Sequence, residues 1–368
     1  MMANKETARK ALEVIRAWTS LENPRASCRF LIAYAALAHI EDGTGFSEIL
    51  YIRVSGPRDG KKTQTGAIAA DLVGEDHCVV VTAGTTSAVF FRMIDARHKL
   101  VVVDEADELP TGIAREIARI ARAGYRTGAK VYRCDGPIGT KSYGVYGPKM
   151  FIGVKPERDA ALRNRMVELR AVASTETEFR FTQGNRDAAI GAMRSLLEAF
   201  GEQERANVLS LYNDSHILPE GLSGRLAGIA RPLIAVARRL DSRWPGFHFE
   251  RIVRAQLLRE HDLRQELAEF DDSSLIKSYL NTLLDTSPTS ALGVSDVFTR
   301  EALQDFFMKQ DRRFRQIPGH IFTRMLYESG YAVGLRTRKR VNGSNPLKHI
   351  RLKIAAIRKV PFQEASRD

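Results

Sequence analysis

The stretch from Lys99 to Glu108, Lys-Leu-Val-Val-Val-Asp-Glu-Ala-Asp-Glu, constrains the fold of this chain more than any other segment. The consecutive apolar residues Leu100 to Val103 suit a strand buried on both faces, as in a parallel sheet covered by helices on either side. Asp104 and Glu105 then emerge at the carboxyl end of that strand, the edge where open α/β sheets place their ligands. Adjacent carboxylates at such an edge can serve a divalent cation and a water, which makes a nucleotide site the first expectation. Asp104 would hold Mg²⁺ and Glu105 would orient and deprotonate the attacking water. The plainer alternative is a core strand followed by a solvated acidic turn.

Upstream, a second apolar strand, Ile49 to Val54, runs into Ser55-Gly56-Pro57-Arg58-Asp59-Gly60-Lys61-Lys62-Thr63 and then into a helical pattern through Ala70. Strand, Gly-containing loop and helix ahead of an Asp-Glu strand are the layout of a P-loop NTPase. Counting the loop motif back from Lys62-Thr63 puts Gly56 first and Lys61 where the second glycine belongs. In that register the loop from Gly56 to Thr63 cradles the phosphates of ATP with its N–H groups at a helix N-terminus. Lys62 contacts the β- and γ-phosphates, and Thr63 joins Asp104 on Mg²⁺. The other register takes Gly60-Lys61 as the Gly-Lys pair, with Lys62 at the hydroxyl position and Ser55 at the first glycine; it loses two motif residues to regain one. In the preferred register a side chain at 61 stands where backbone and phosphate approach closely, a place that favours glycine. Nucleotide binding is therefore better supported than efficient turnover, and a lysine-rich surface turn is the bland alternative.

With 44% hydrophobic residues in 368, the chain can bury a large core divided among several domains. It has no apolar run of membrane-spanning length, and Met-Met-Ala-Asn-Lys-Glu lacks the apolar segment of a secretory signal, so the expected compartment is the cytoplasm. Cys28, Cys78 and Cys134 are too dispersed for a disulfide framework or a zinc pattern. The formal net charge of +12 suits a polyanionic partner, but where the charge sits matters more than its sum.

Helical spacing predicts two helices within 6–42 ahead of the loop-bearing strand. A third strand is expected at Cys78 to Thr82, and a helix from Ala88 to Ala96 capped by Thr85-Thr86-Ser87. Another helix is expected from Thr111 to Ala123. Two more strands follow, at Val131 to Arg133 and Lys149 to Val154. Between them a Gly-rich connector, Asp135 to Gly147, carries Lys141 and Tyr143 and is read either as a DNA contact or as a solvated link. Lys155 follows the later strand, where it could bind phosphate in place of a water-positioning Asn, Ser or Thr. Residues 186–270 read as helical, with helices at Ala188 to Phe200, Glu204 to Ser210, Arg225 to Leu240 and Phe249 to Leu267. Asp271-Asp272-Ser273-Ser274 marks a boundary. Beyond it come helices at Leu275 to Leu284, Arg300 to Phe307 and Pro318 to Ser329, then strands at Gly330 to Leu335 and His349 to Leu352, the order of a winged helix. Residues 331–360 carry nine Lys or Arg and no acid, so Arg336, Arg338, Lys339, Arg340 and Lys348 are the candidate DNA contacts. A basic wing that merely solubilises the terminus, or meets a protein, is the alternative.

The loop, Asp104-Glu105, Phe151 to Leu169, and Ala230-Arg231-Pro232-Leu233 with Trp244-Pro245 together resemble a P-loop NTPase domain of phage and plasmid proteins. That domain is often fused to primases and is related to AAA+ ATPases and superfamily 3 helicases. The resemblance covers roughly residues 28–350, is most specific at Arg-Pro-Leu with the downstream Trp-Pro, and departs at Lys61, where that family has Gly. It implies that Arg165, or Arg163 two residues earlier, acts as an arginine finger toward a neighbouring subunit. It also implies that Arg225 or Arg231, in a helical lid, senses the nucleotide in its own subunit. A surface-charge role for Arg163 and Arg165, and solvated arginines beside an amphipathic core stripe for the other two, are the alternatives. A homo-oligomer follows from a finger acting in trans, a hexameric ring being one form, with a primase or other replication protein as a further partner.

The combined expectation is an α/β P-loop NTPase core of AAA+ type with a parallel sheet. Its parts are N-terminal helices (1–44), the core (45–185), a helical lid (186–270) and a C-terminal winged-helix DNA-binding domain with a basic tail (271–368). It would act as an ATP-dependent DNA helicase or DNA-translocating replication ATPase of a mobile element. The competing class is a DNA-binding scaffold with a degenerate loop. A small-molecule P-loop enzyme would leave the basic terminus without a role.

Overall fold

The computed structural model describes residues 2–40, 45–82, 84–96, 100–135, 139–154, 157, 159–174, 181–269, 279, 280, 282, 297–310, 322, 323, 325, 326, 332–335 and 349–352. By its internal contacts the chain divides once, into Met1–His261 and Asp262–Asp368. The first unit begins α1 (Met2–Trp18), α2 (Pro24–Ile40), β1 (Tyr51–Ser55), α3 (Lys62–Val73), β2 (Cys78–Val81), α4 (Ser87–Ala96), β3 (Leu100–Val103) and α5 (Thr111–Ala123). It continues β4 (Lys130–Asp135), β5 (Gly139–Gly144), β6 (Lys149–Gly153), α6 (Ala160–Arg163), β7 (Met166–Arg170), α7 (Gln183–Asn213) and α8 (Gly224–Arg243), and the division falls within α9 (Phe249–Glu269).

Five strands form one sheet in the order β2-β3-β6-β1-β7, every pairing parallel. All residues of β1, β3 and β6 are buried, the condition that a near-continuous apolar strand requires. Side chains alternate across the sheet: Tyr51 points toward α5, its hydroxyl donating to the Ala121 carbonyl at 2.9 Å, and its ring packs on Phe151 at 6.1 Å. A single strand, β6, separates β1 from β3. The loops leaving β1 and β3 therefore open on one edge, two strand spacings or roughly 10 Å apart.

The helix α2 is buried on almost every side from Ser27 to Ile40, so it serves as core, not as an amphipathic cover. Its Tyr34 hydroxyl lies 3.1 Å from the Leu50 carbonyl and 2.9 Å from the Lys149 carbonyl, and accepts from the Lys149 N–H at 2.9 Å, binding the starts of β1 and β6 to the helix. The side chain of Lys149 is itself fully buried. Its Nζ donates to the carbonyls of Val145 (2.8 Å), Gly147 (2.9 Å) and Gly124 (3.4 Å) and lies 5.0 Å from the Tyr51 ring centre. Burial pulls its pKa down to about 7.

Two elements differ from the sequence expectation. The strand read at Val131 to Arg133 is not part of the parallel sheet: β4 and β5 pair only with each other, from Lys130↔Gly144 to Asp135↔Gly139. The reason is composition, because the polar residues of β5 suit a ribbon facing solvent and not a strand covered on both faces. This hairpin rests on α4 and α5. Tyr143 packs on Phe91 at 4.7 Å, Arg133 lies over the Phe91 ring and bonds Glu116, and Asp95 accepts the Gly144 N–H at 2.6 Å. The helices read at Ala188 to Phe200 and Glu204 to Ser210 are one helix, α7. Gly201, which looks like a break, is a packing contact: a Cβ there would stand 2.8 Å from the His39 carbonyl oxygen. α7 lies along α1, α2 and α3, α8 lies on α2 and α7, and one continuous hydrophobic cluster runs from Ala8 to Leu257. The helices after β7 thus share a core with the sheet and are no separate unit.

In the second unit β8 (Val297–Thr299), β9 (Ala332–Leu335) and β10 (His349–Leu352) form an antiparallel sheet in the order β8-β10-β9, and α10 (Arg300–Gln310) follows β8 directly. The sequence expectation had β9 and β10 but not the edge strand β8, which is three residues long and abuts a helix. Leu303 and Phe307 of α10 are buried with Phe322, Met325 and Leu326. No helix among the described residues is long and apolar enough to cross a membrane.

Candidate nucleotide site

The loop leaving β1 is seated against the end of β7. The Ala171 N–H donates to the Ser55 carbonyl at 2.7 Å, and a Cβ on Gly56, whose φ is +150°, would lie 2.3 Å from the Ala171 oxygen. Only glycine fits there. The Gly60 N–H closes a turn onto the Pro57 carbonyl at 3.1 Å, and the Asp59 carbonyl accepts from the Ser174 N–H at 3.1 Å. Exposed Arg58 pairs with Glu108, beyond β3, at 3.4 Å. Lys61 then adopts the left-handed conformation, φ 48° and ψ 33°, as the residue preceding α3. The backbone turn that a second glycine would make is kept, and a side chain carries it at a cost of about 1–2 kcal/mol. Lys62, at the first position of α3, is 8% exposed and its Nζ donates to the Pro57 carbonyl, so its amine folds back over the loop.

At the end of β3 the Asp104 N–H donates to the Val81 carbonyl at 2.8 Å. The Asp104 Oδ1 accepts from the Glu105 N–H at 2.9 Å and from the Thr63 hydroxyl at 3.4 Å. Residues 41 positions apart are thus brought to a shared point on the ligand edge. Glu105 is exposed and its φ is +50°, a left-handed backbone rare outside glycine, held by the Glu108 N–H on its carbonyl at 2.8 Å. A hydroxyl and a carboxylate this close suit Mg²⁺, which prefers oxygen, keeps several waters and takes only one or two protein ligands beside phosphate.

Sequence reasoning missed the groups that brace this turn. Both oxygens of Asp107 accept the Val154 N–H, at 3.0 and 3.1 Å, and Arg53 Nη2 lies 3.8 Å from its Oδ1. A Cβ on Gly153 would stand 1.9 Å from that carboxylate oxygen, so the close approach needs glycine. Arg53 is 3% exposed; burial pulls its pKa down, while Glu157, Asp107 and Glu168 push it back up. It stands opposite Glu168 in the β1–β7 register, and Ser55 donates to the Glu168 carboxylate. The legible signals were an arginine inside the apolar run Ile49 to Val54 and a glutamate inside Met166 to Leu169.

The structure places the other predicted residues away from this edge. Arg165 precedes β7, whose start pairs with Tyr51, so it sits at the opposite edge, roughly 16 Å away along the five residues of β1. It is 9% exposed, its guanidinium stacks 4.3 Å over Tyr125, and it donates to the Ala161 carbonyl; a finger needs an exposed arginine, and the assignment is corrected. Arg163 ends α6 and is half-buried. Arg225 is exposed one turn before Gly228, where a Cβ would lie 3.1 Å from Glu48 Oε2, again at the opposite edge. Arg231 donates to the Asp214 carbonyl at 3.4 Å, just after Tyr212, whose hydroxyl meets Ser47 at 2.7 Å. Both arginines thus lie toward the edge opposite Gly56, on a helix that packs on α2 and α7. Lys141 is exposed on β5, its Nζ 5.4 Å from the Tyr143 ring centre. Tyr132 on β4, which sequence reasoning passed over, is 64% exposed. Lys155, Arg336, Arg338, Lys339, Arg340 and Lys348 lie outside the described residues.

No protein-family model matches the chain, and no curated protein matches it in sequence. Among solved structures, the apo C-terminal region (305–718) of NrS-1 aligns with 92% of this chain and 75% of that one at 9% identity and a TM-score of 0.38. The JCV helicase covers 62% of this chain and 65% of its own at 13% identity and a TM-score of 0.26. The RuvB Holliday junction branch migration motor of Thermotoga maritima covers 86% and 90% at 10% identity and a TM-score of 0.27. The α/β assignment rests on the strand order and loop geometry given above.

Proposed function

We propose that the chain is an ATP-binding P-loop NTPase of helicase type that acts on DNA, as a helicase or DNA-translocating replication ATPase of a mobile element. The observation that carries this reading is the meeting of Thr63 and Asp104 at the ligand edge, beside a loop that ends at a helix N-terminus. In the mechanism, the loop's N–H groups, those of Gly56 and of Arg58 to Thr63, and the Lys62 amine hold the triphosphate. Bound Mg²⁺, held by Thr63 and Asp104, would neutralise charge on the β- and γ-oxygens. Glu105 takes the proton of the water that attacks the γ-phosphorus, the bond to the ADP oxygen breaks, and ADP and phosphate leave. Lys62 leaves the Pro57 carbonyl when phosphate arrives. The exposed Lys141 and Tyr132 of the hairpin and the basic terminus, read as a winged helix, are the DNA contacts. Assembly into a homo-oligomer, partnership with a primase and a cytoplasmic location complete the proposal.

The test is ATP turnover with and without single-stranded DNA, in the native chain and in Lys62→Ala and Glu105→Gln. The native chain should release phosphate faster with DNA. Lys62→Ala should lose nucleotide binding, and Glu105→Gln should bind but turn over about 100-fold more slowly. Equal release in all three overturns the ATPase reading. The second reading, a DNA-binding scaffold with a loop that binds but does not turn over, is favoured by the strained Lys61, and would give binding without release.

A further inference from the structure

A cleft of about 380 Å³ lies between α1, the start of α2 and the turn Pro245-Gly246-Phe247. Its walls carry Lys5, Arg9, Arg16, Arg25 and Arg29 against a single carboxylate, Glu13. Two other acids, Glu6 and Asp241, offset them only in part. Glu6 pairs with Arg9 at 2.7 Å where both side chains are largely exposed and the attraction is screened. Asp241, near Arg29, spends its two oxygens on the N–H groups of Phe249 (2.8 Å) and Glu250 (2.9 Å). Arg29 donates from Nη1 to the Arg25 carbonyl at 2.7 Å, and its buried Nε has no hydrogen-bond partner among the described residues. Burial pulls the Arg29 pKa down and the neighbouring Arg25 adds to the pull, with Asp241 acting against it. No acid stands in the first turn of α2 to answer the positive end of that helix. By contrast, the larger cleft beside Asp107, about 950 Å³, sets Arg53, Arg115, Arg119 and Arg122 against Asp107, Glu116, Glu157 and Asp159 and neutralises itself.

Cations gathered on one wall repel one another, and an anionic ligand relieves that cost. From Lys5 to Arg16, α1 rises about 16 Å, a length over which one nucleic-acid strand presents about five phosphates. Four of the five cations are arginines, whose planar forks grip phosphate at two oxygens. Leu12, Pro24 and Pro245 supply low-dielectric walls that focus the field. We infer that this cleft is a second nucleic-acid site, binding the phosphate backbone of a strand without reading its bases. It does not depend on the nucleotide reading, and it is separate from the hairpin and the basic terminus.

The test is fluorescence anisotropy of the full chain with labelled oligodeoxythymidine of about 20 nucleotides across a salt series. The double variant Arg16→Glu/Arg25→Glu removes two exposed cations. Arg225→Glu/Arg259→Glu, exposed arginines of α8 and α9, changes the net charge equally elsewhere. The inference expects the first variant to bind about tenfold more weakly, with the slope of log affinity against log salt shallower by about 1.4, or 0.7 per lost phosphate contact. The control should change neither by as much, and circular dichroism should report both as folded. ATP turnover without DNA should be unaffected in either, so failure of the ATPase reading leaves this result readable. Equal losses in the two variants, or an unchanged slope in the first, overturn the site. Displacement of the oligonucleotide by poly-glutamate as readily as by polyphosphate of equal charge assigns the cleft to an acidic protein and also overturns it.

Discussion

Lys61 shows how a motif can be broken in sequence and kept in shape. Its left-handed backbone is the turn that the second loop glycine would make, so the strain sits on one residue and the loop follows its course. Lys61→Gly should therefore raise stability by up to about 1 kcal/mol, since relief of the left-handed cost is partly offset by the freedom glycine adds to the unfolded chain. ATP should also bind more tightly; denaturant unfolding and isothermal titration measure the two. Gly56→Ala should do the reverse, because its Cβ meets the Ala171 oxygen at 2.3 Å: a loss of at least about 2 kcal/mol and of most nucleotide affinity. At this scale the turn at Gly56 and the approach of Thr63 to Asp104 could be anticipated from the sequence because their spacing encodes one local turn and one strand end. Arg165, Arg225 and Arg231 could not be placed, since an arginine's neighbours depend on which edge of the sheet it reaches, and that is set by strand register and helix packing.

The hairpin of β4 and β5 was the element least legible in the sequence. Its apolar residues are few, so its pairing is decided by packing on Phe91 and by the Arg133 to Glu116 contact rather than by pattern. Phe91→Ala should cost about 3 kcal/mol and loosen the ribbon. DNA-stimulated phosphate release should then fall more than basal release, and equal falls would separate the ribbon from DNA. Lys149 secures the other end of this element. With its folded pKa near 7 and an unfolded value of about 10.4, the unfolded chain holds an extra proton between those limits. Stability from this group therefore climbs as pH rises from about 7 to 10, by up to about 1.4 kcal/mol per unit, and is flat below 7. Lys149→Met should flatten that climb, which urea melts at pH 7 and 9 will show, and should cost stability at pH 7 by leaving the Val145 and Gly147 carbonyls without the Nζ donor.

Over the whole molecule, four strands of the sheet, β1, β2, β3 and β6, were readable because strands of a covered parallel sheet are written as apolar runs. Their order was not readable, because no residue pattern states which strand lies between which. The division after His261 implies that a fragment ending at Glu269, the last residue of α9, should unfold cooperatively on its own and keep the native affinity for ATP. Limited proteolysis followed by calorimetry checks both. One consequence follows from β6 lying between the two ligand-bearing strands. Its first residue is anchored in the hairpin's return and its last adjoins the Asp107 carboxylate, so five stiff residues form a rod between a surface ribbon and the proposed phosphate pocket. A strand cannot slip by one position without turning every side chain to the wrong face. Any stroke passed along this rod must therefore be a rigid displacement smaller than about 3.3 Å.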